Sequence, residues 1–129
     1  MTEEKRILVV DDEAVVRDSL EQYLEDCDFE VQTAESAISA LQLLKSGACF
    51  DIAVVDIRMP EMNGEDFMLA AHEICGHMKF LIQTGTLDYR VSAPLQKLGI
   101  QDTNVLKKPV FELNTYVEKI EQILNKSAE

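Results

Sequence analysis

The sequence predicts an α/β fold, a doubly wound, five-stranded parallel sheet flanked by five helices, and two observations predict it. Residues 7–10 (Ile-Leu-Val-Val), 52–55 (Ile-Ala-Val-Val) and 80–82 (Phe-Leu-Ile) are short all-apolar runs. Such runs suit strands covered on both faces by helices, the situation of a parallel sheet. Between them, apolar residues recur at helical spacing, so strand and helix alternate. Right-handed crossovers then place any ligand site at the carboxyl ends of the strands.

The elements follow in order. After the first strand, Val16, Leu20, Leu24 and Cys27 share one helical face, and residues 29–33 alternate as a shorter, more exposed strand. Ser36 is placed to cap a second helix that turns Ile38, Leu41 and Leu44 inward and stops at Gly47. Phe67, Ala71 and Ile74 mark the third helix. In the fourth, Ser92 caps, Pro94 fits only the first turn, and Val91, Leu95 and Leu98 face inward, which leaves Tyr89 in a loop. Residues 104–106 read as the fifth strand. Leu113, Val117, Ile120 and Leu124 form the stripe of a closing helix.

A chain of 129 residues falls at the size of one domain, here residues 1–129. With 47% hydrophobic and 28% charged residues, a soluble globule is expected. The formal charge of −12 repels nucleic-acid backbones and anionic lipid surfaces, so neither nucleic acid nor membrane is an expected partner. The opening Met-Thr-Glu-Glu-Lys-Arg meets an apolar stretch too short for a secretion signal, which predicts a cytoplasmic protein. Cys27, Cys49 and Cys75 are odd in number and lack Cys-x-x-Cys spacing. All three are expected to be reduced packing residues.

Polar residues gather where the topology puts a site. Asp11, Asp12 and Glu13 follow the first strand, Asp56 the third, Thr84 the fourth, and Lys107 and Lys108 the fifth. First and third strands are neighbours at the switch point of such sheets, so Asp11, Asp12 and Asp56 should crowd together. Crowded carboxylates resist ionising together unless a cation offsets them. Mg²⁺ suits a site of this kind, because it takes one or two carboxylates along with waters and phosphate oxygens. Phosphoryl transfer in turn needs a positioned nucleophile, here Asp56, and positive charge around it, here Mg²⁺ and Lys108. Strand alternation lets only one of the two lysines enter the site, leaving Lys107 in solvent.

Val9-Val10-Asp11-Asp12-Glu13, Val55-Asp56-Ile57-Arg58-Met59-Pro60 through Gly64, Thr84 and Lys108-Pro109 form one ordered set at successive strand ends. That set resembles the signature of response-regulator receiver domains of two-component signalling, the chemotaxis-regulator-like family, over nearly the whole chain. The resemblance implies a flavodoxin-like strand order 2-1-3-4-5 and a phospho-acceptor at Asp56. It implies Mg²⁺ held directly by Asp12 and Asp56, by Asp11 through a water, and by the Arg58 backbone carbonyl, with Thr84 and Lys108 on the phosphoryl oxygens. It also implies a cis Lys108-Pro109 bond. The donor would be a sensor histidine kinase or phosphotransfer protein and the receiver of the signal a downstream protein or output domain. The family's habit of pairing beside its fourth and fifth strands allows a weak homodimer.

Two positions depart from the pattern. Val105 stands where the family commonly has an aromatic switch residue, and Gly85-Thr86 stands where a small, alanine-like follower is usual. Val105 is too short and stiff to sweep between two positions, so any switch is expected in the Thr84 to Leu98 stretch, with Gly85 free to adopt unusual backbone angles. The departure keeps a second reading, a receiver-fold interaction module that is never phosphorylated. A third, an aspartyl-phosphate hydrolase of the haloacid dehalogenase type, expects Asp-x-Asp after the first strand, whereas Asp56 lies on the third and is followed two residues later by Arg58. The expectation is therefore no enzyme beyond self-assisted phosphorylation and dephosphorylation. His72, Cys75 and His77 match no closed zinc site and read as helix surface. Met59, Met62, Met68 and Met78 read as loop and core filling.

Overall fold

The computed structural model describes residues 5–86, 88–108, 110 and 112–126. Five strands, β1 (Arg6–Val10), β2 (Glu30–Ala34), β3 (Ile52–Asp56), β4 (Lys79–Thr84) and β5 (Val105–Lys107), form one sheet in the order β2-β1-β3-β4-β5. Every pairing is parallel. Among the described residues the helices are α1 (Ala14–Asp26), α2 (Ala37–Lys45), α3 (Gly64–Ile74), α4 (Ala93–Lys97) and α5 (Asn114–Lys126), with a 3-10 turn at Asp102–Asn104.

The side-chain alternation of the strands divides the core in two. Leu8, Val10, Ala53, Val55, Phe80 and Ile82 point to the layer covered by α2, α3 and α4. Ile7, Val9, Ile52, Val54 and Leu81 point to the layer under α1 and α5, where Leu20, Leu24, Tyr116 and Ile120 meet them. Buried on both sides, residues 7–10 of β1 and 52–55 of β3 are all apolar, which is why these runs do not alternate. Edge strand β2 alternates instead.

The Ser36 cap forms as expected, its hydroxyl accepting from the Ser39 amide at 3.0 Å, and Gly47 ends the turn at φ +107°. Met59, Met68 and Met78 are buried, and Met62 packs against the same core layer. Three helical faces differ from their expected composition. Leu41 and Leu44 face inward as expected, but Ile38 is 40% exposed, because the rest of the α2 stripe is Ala37 and Ala40, whose small side chains let the helix approach the sheet. Ile74 is 41% exposed for a similar reason: the stripe of Gly64, Phe67, Met68 and Ala71 continues through Cys75. In α5, Tyr116 joins the expected Ile120 as a buried residue, while Val117 and Leu124, with Leu113 just before the helix, are partly buried. The fifth strand starts one residue late, since the Asn104 side chain is taken by the Gln101 amide and the Phe80 carbonyl. Gly85 does not take a left-handed backbone; among described glycines only Gly47 and Gly99 do.

Cys49 and Cys75 are joined by a disulfide, contrary to the reading of all three cysteines as thiols, and Cys27 is free. Both bonded residues precede neighbouring strands, which brings their Cα atoms to 6.3 Å although 26 positions separate them in sequence. The expected cis bond at Lys108-Pro109 lies outside the described residues. No helix among the described residues is long and apolar enough to cross a membrane.

Candidate functional site

Chain direction puts the carboxyl ends of β1, β3, β4 and β5 at one edge of the sheet, and the polar residues stand there. Asp11 follows β1 and is wholly buried. One of its carboxylate oxygens accepts from the Glu13 amide at 2.9 Å, the other from the Gln83 side-chain amide at 2.7 Å and the Lys108 ammonium at 3.4 Å. Asp12, next in the chain, is exposed. Asp56 ends β3, beside Gln83 of β4 in register, and is 6% exposed. Its carboxylate accepts from the Arg58 amide and from Lys108, both at 3.3 Å. Carboxylate oxygens of Asp11, Asp12 and Asp56 all lie within 4.8 Å of one another.

Lys108 is fixed by its own backbone, which donates to the Thr84 carbonyl at 2.7 Å and so extends the β4–β5 pairing by one residue. Alternation then turns its side chain into the cluster and that of Lys107 outward, where the Lys107 ammonium reaches the Thr86 carbonyl at 3.1 Å. The Lys108 ammonium also stands 3.6 Å from Glu13 at the rim. Thr84 is buried, and its hydroxyl accepts from the Thr86 amide at 3.0 Å. The Arg58 side chain is exposed, and its backbone amide is what donates to the Asp56 carboxylate.

Burial pushes the Asp56 carboxyl above its ordinary value, since desolvation and the neighbouring Asp11 outweigh the Lys108 charge. For Lys108, burial alone would lower the pKa, but Asp11 and Asp56 outweigh it and the ammonium is held in its charged form. The site therefore carries more negative charge than its lysine balances. A hard cation fits what remains, because every spare donor is a carboxylate oxygen.

Two residues that the sequence reading passed over build this site from behind. Tyr116 of α5 donates its hydroxyl to the Gln83 side-chain oxygen at 2.7 Å, which orients the Gln83 amide toward Asp11. Burial pushes the Tyr116 hydroxyl up to about 12, so it remains a donor. The available signal was a lone glutamine closing an apolar strand run, a position where a buried amide needs partners. Gly64 is a third constraint. A Cβ there would stand 2.5 Å from the Asp56 carbonyl, so only glycine lets α3 begin against the end of β3.

The family model for the response regulator receiver domain matches residues 7–121. The chain belongs to the receiver family. As a receiver it is 32% identical to the transcriptional regulatory protein FixJ of Bradyrhizobium diazoefficiens over 98% of its length, covering 60% of FixJ. Thus the receiver spans less than two thirds of that relative. It is 33% identical to the response regulator receiver protein CpdR of Brucella abortus, covering 93% of this chain and 97% of that one. Among solved structures, the response regulator TrrA of Thermotoga maritima in complex with Mg²⁺-BeF superposes with a TM-score of 0.77 at 29% identity, covering 93% of this chain and 99% of that one. Receivers are signalling modules of two-component systems, generally without catalytic turnover, and bind Mg²⁺ at an acidic pocket; this receiver has such an acidic cluster at Asp11, Asp12 and Asp56.

Proposed function

We propose that residues 1–129 form one phosphorylatable receiver domain that accepts a phosphoryl group on Asp56 from a sensor histidine kinase or phosphotransfer protein in the cytoplasm. It then signals to a downstream protein or output domain. One arrangement supports this most directly: three carboxylates within 4.8 Å of one another, with a single ammonium 3.3 Å from Asp56. In the reaction, an Asp56 oxygen attacks phosphorus in line, the bond from phosphorus to the donor breaks, and the donor leaves with the electron pair. The Lys108 ammonium offsets charge on the phosphoryl oxygens. Thr84 exchanges its bond with the Thr86 amide for a stronger, charge-assisted one to the phosphoryl group. Gln83 and the Glu13 amide hold Asp11 in place meanwhile.

The carboxylates of Asp11, Asp12 and Asp56 and the backbone carbonyl of Arg58 would hold Mg²⁺. When bound, the ion supplies the positive charge that Lys108 alone does not. The domain assists its own phosphorylation and dephosphorylation and turns over no separate substrate. Incubation with a small acyl phosphate and Mg²⁺ should add the mass of one phosphoryl group, with Asp56→Asn and chelation each abolishing it. Equal labelling of the variant would overturn the assignment. Because the residues at positions 58 and 86 offer no carboxylate or amide to orient water, the phospho-form should be long-lived, and Arg58→Asn should shorten its life in the same measurement. A second reading, an interaction module that is never phosphorylated, is favoured only by Val105, which is half-buried at the start of β5 in the aromatic switch position. It predicts no labelling of either protein.

A further inference from the structure

The opposite edge of the sheet, where β3 and β4 begin, carries a second group of reactive side chains. Cys49 lies three residues before β3, and Cys75 and His77 lie between α3 and β4. The cysteines are bonded to each other. A His77 ring nitrogen stands 3.6 Å from Cys49 Sγ, and both ring nitrogens stand 3.8 Å from Cys75 Sγ. The two sulfurs are unlike in access: Cys75 is 4% exposed, whereas Cys49 is half-buried on a loop and His77 is exposed. The Arg6 guanidinium donates to the Cys49 carbonyl at 2.7 Å and lies over the Phe50 ring, with its charge paired to Glu30 at 3.7 Å. Cys27, at the end of α1, takes no part in this cluster.

We propose that Cys49–Cys75 is a reversible thiol–disulfide site, opened by an external thiol that attacks Cys49, with His77 as the proton donor to the departing Cys75 sulfur. Attack is directed by access, since an external thiolate meets Cys49 first. A bond forms between the external sulfur and Cys49 Sγ. The Cys49–Cys75 bond breaks, and Cys75 leaves with the electron pair and takes a proton from the imidazolium form of His77, leaving the ring neutral. A second external thiolate then attacks the external sulfur of the mixed disulfide and releases Cys49 as thiolate. Two thiols are oxidised to one disulfide and the protein disulfide is reduced to two thiols. Closure by a hydroperoxide balances likewise: Cys49 sulfur takes one oxygen as the alcohol or water leaves, then Cys75 thiolate attacks the sulfenic sulfur and water departs.

A reducing compartment strengthens the case, because disulfides that persist there are mostly transient, catalytic or redox-sensing. In that respect the inference leans on the cytoplasmic setting proposed above, though its geometry does not. The bond closes a ring of chain from 49 to 75 that contains β3, Asp56 and all of α3. Opening it releases the carboxyl end of α3 from the start of β3 while leaving the acidic cluster at the far edge.

The test uses the full chain, with thiols blocked and mapped by mass. A hydroperoxide should remove two hydrogens and shield Cys49 and Cys75, but not Cys27, from alkylation; millimolar glutathione under native conditions should restore both thiols. Given glutathione disulfide, Cys75→Ser should form a mixed disulfide on Cys49 and release one glutathione, whereas Cys49→Ser should form none on Cys75. His77→Gln should slow native opening several-fold and leave the Tm of the oxidised form unchanged, which a merely structural histidine would not do. Opening only in denaturant would overturn the proposal in favour of an inert structural bond. A pair that never closes would overturn it too. So would one-to-one Zn²⁺ binding to the reduced chain that shields both thiols, since the cluster would then be a metal site. Asp56→Asn separates the two readings, because it removes the phosphoryl label and should leave every step of the thiol chemistry intact.

Discussion

The carboxyl edge of the sheet is built in two manners. Asp11, Asp56, Gln83 and Lys108 sit on or beside strands packed on both faces, and each of their charged or amide groups is tied to at least one partner within the cluster. The described residues from Gly85 to Leu98 stand beside them and hold a single helical turn, Ala93–Lys97, whose Ser92 cap makes no side-chain bond. Its ties to the rest of the receiver include the Tyr89 hydroxyl donating to Glu65 at 2.8 Å, the Lys107 ammonium on the Thr86 carbonyl, and Val91 and Leu95 in the core. The contrast teaches where chemistry and shape change separate. Positioned charge needs over-determined neighbours, while a conformational response needs a segment whose alternatives differ little in free energy.

The largest blow to the rigid half should come from Lys108→Met. It leaves the buried Asp11 and Asp56 carboxylates without their common counter-charge, and a loss of about 3 kcal/mol in urea unfolding without Mg²⁺ is expected. A pair of glycine substitutions sharpens the comparison next. Gly64→Ala drives a Cβ to 2.5 Å from the Asp56 carbonyl and should cost about 2 kcal/mol. Gly85→Ala meets nothing within 4 Å and should change stability by less than about 0.5 kcal/mol. Equal losses at both positions would erase the distinction.

Asp56→Asn should act in the other direction and raise Tm by a few degrees at neutral pH without Mg²⁺. Burial raises the Asp56 pKa in the folded state, so the folded form holds its proton more tightly than the unfolded chain does. The stability this contributes is present in acid and lost as pH rises through the folded pKa, leaving a net penalty at neutral pH that asparagine removes. The advantage of the variant should therefore vanish below the ordinary carboxylate value of 3.8. Lys108, raised by its two carboxylates, keeps its contribution until alkaline pH and does not disturb that window. Denaturant midpoints at acid and neutral pH check both statements. The smallest energies concern the loose half: beryllofluoride, a phosphoryl mimic, should move backbone amide shifts from Gly85 to Leu98 as well as those around Asp11, Asp12 and Asp56. Silence in the Gly85 to Leu98 stretch would show that the receiver does not switch there.

The order of elements was legible in the sequence because two-sided burial writes itself into residues 7–10 of β1 and 52–55 of β3, and because strand alternation alone separates Lys107 from Lys108. The candidate site was legible for the same reason: residues at strand ends in a parallel sheet have one place to go, and Asp11, Asp12, Asp56 and Lys108 do converge there. By itself, then, the sequence determined the α/β class, the order of the strands along the chain and the identity of the acidic cluster, all of which depend on local pattern and chain direction. Only the tertiary structure decided the rest. The rotation of α2 that exposes Ile38 depends on how closely Ala37 and Ala40 approach the sheet, and Tyr116 could be joined to Gln83 only once α5 lay across β4. Cys49 and Cys75 met because β3 and β4 are neighbours, a fact of strand order that no spacing between the two cysteines records.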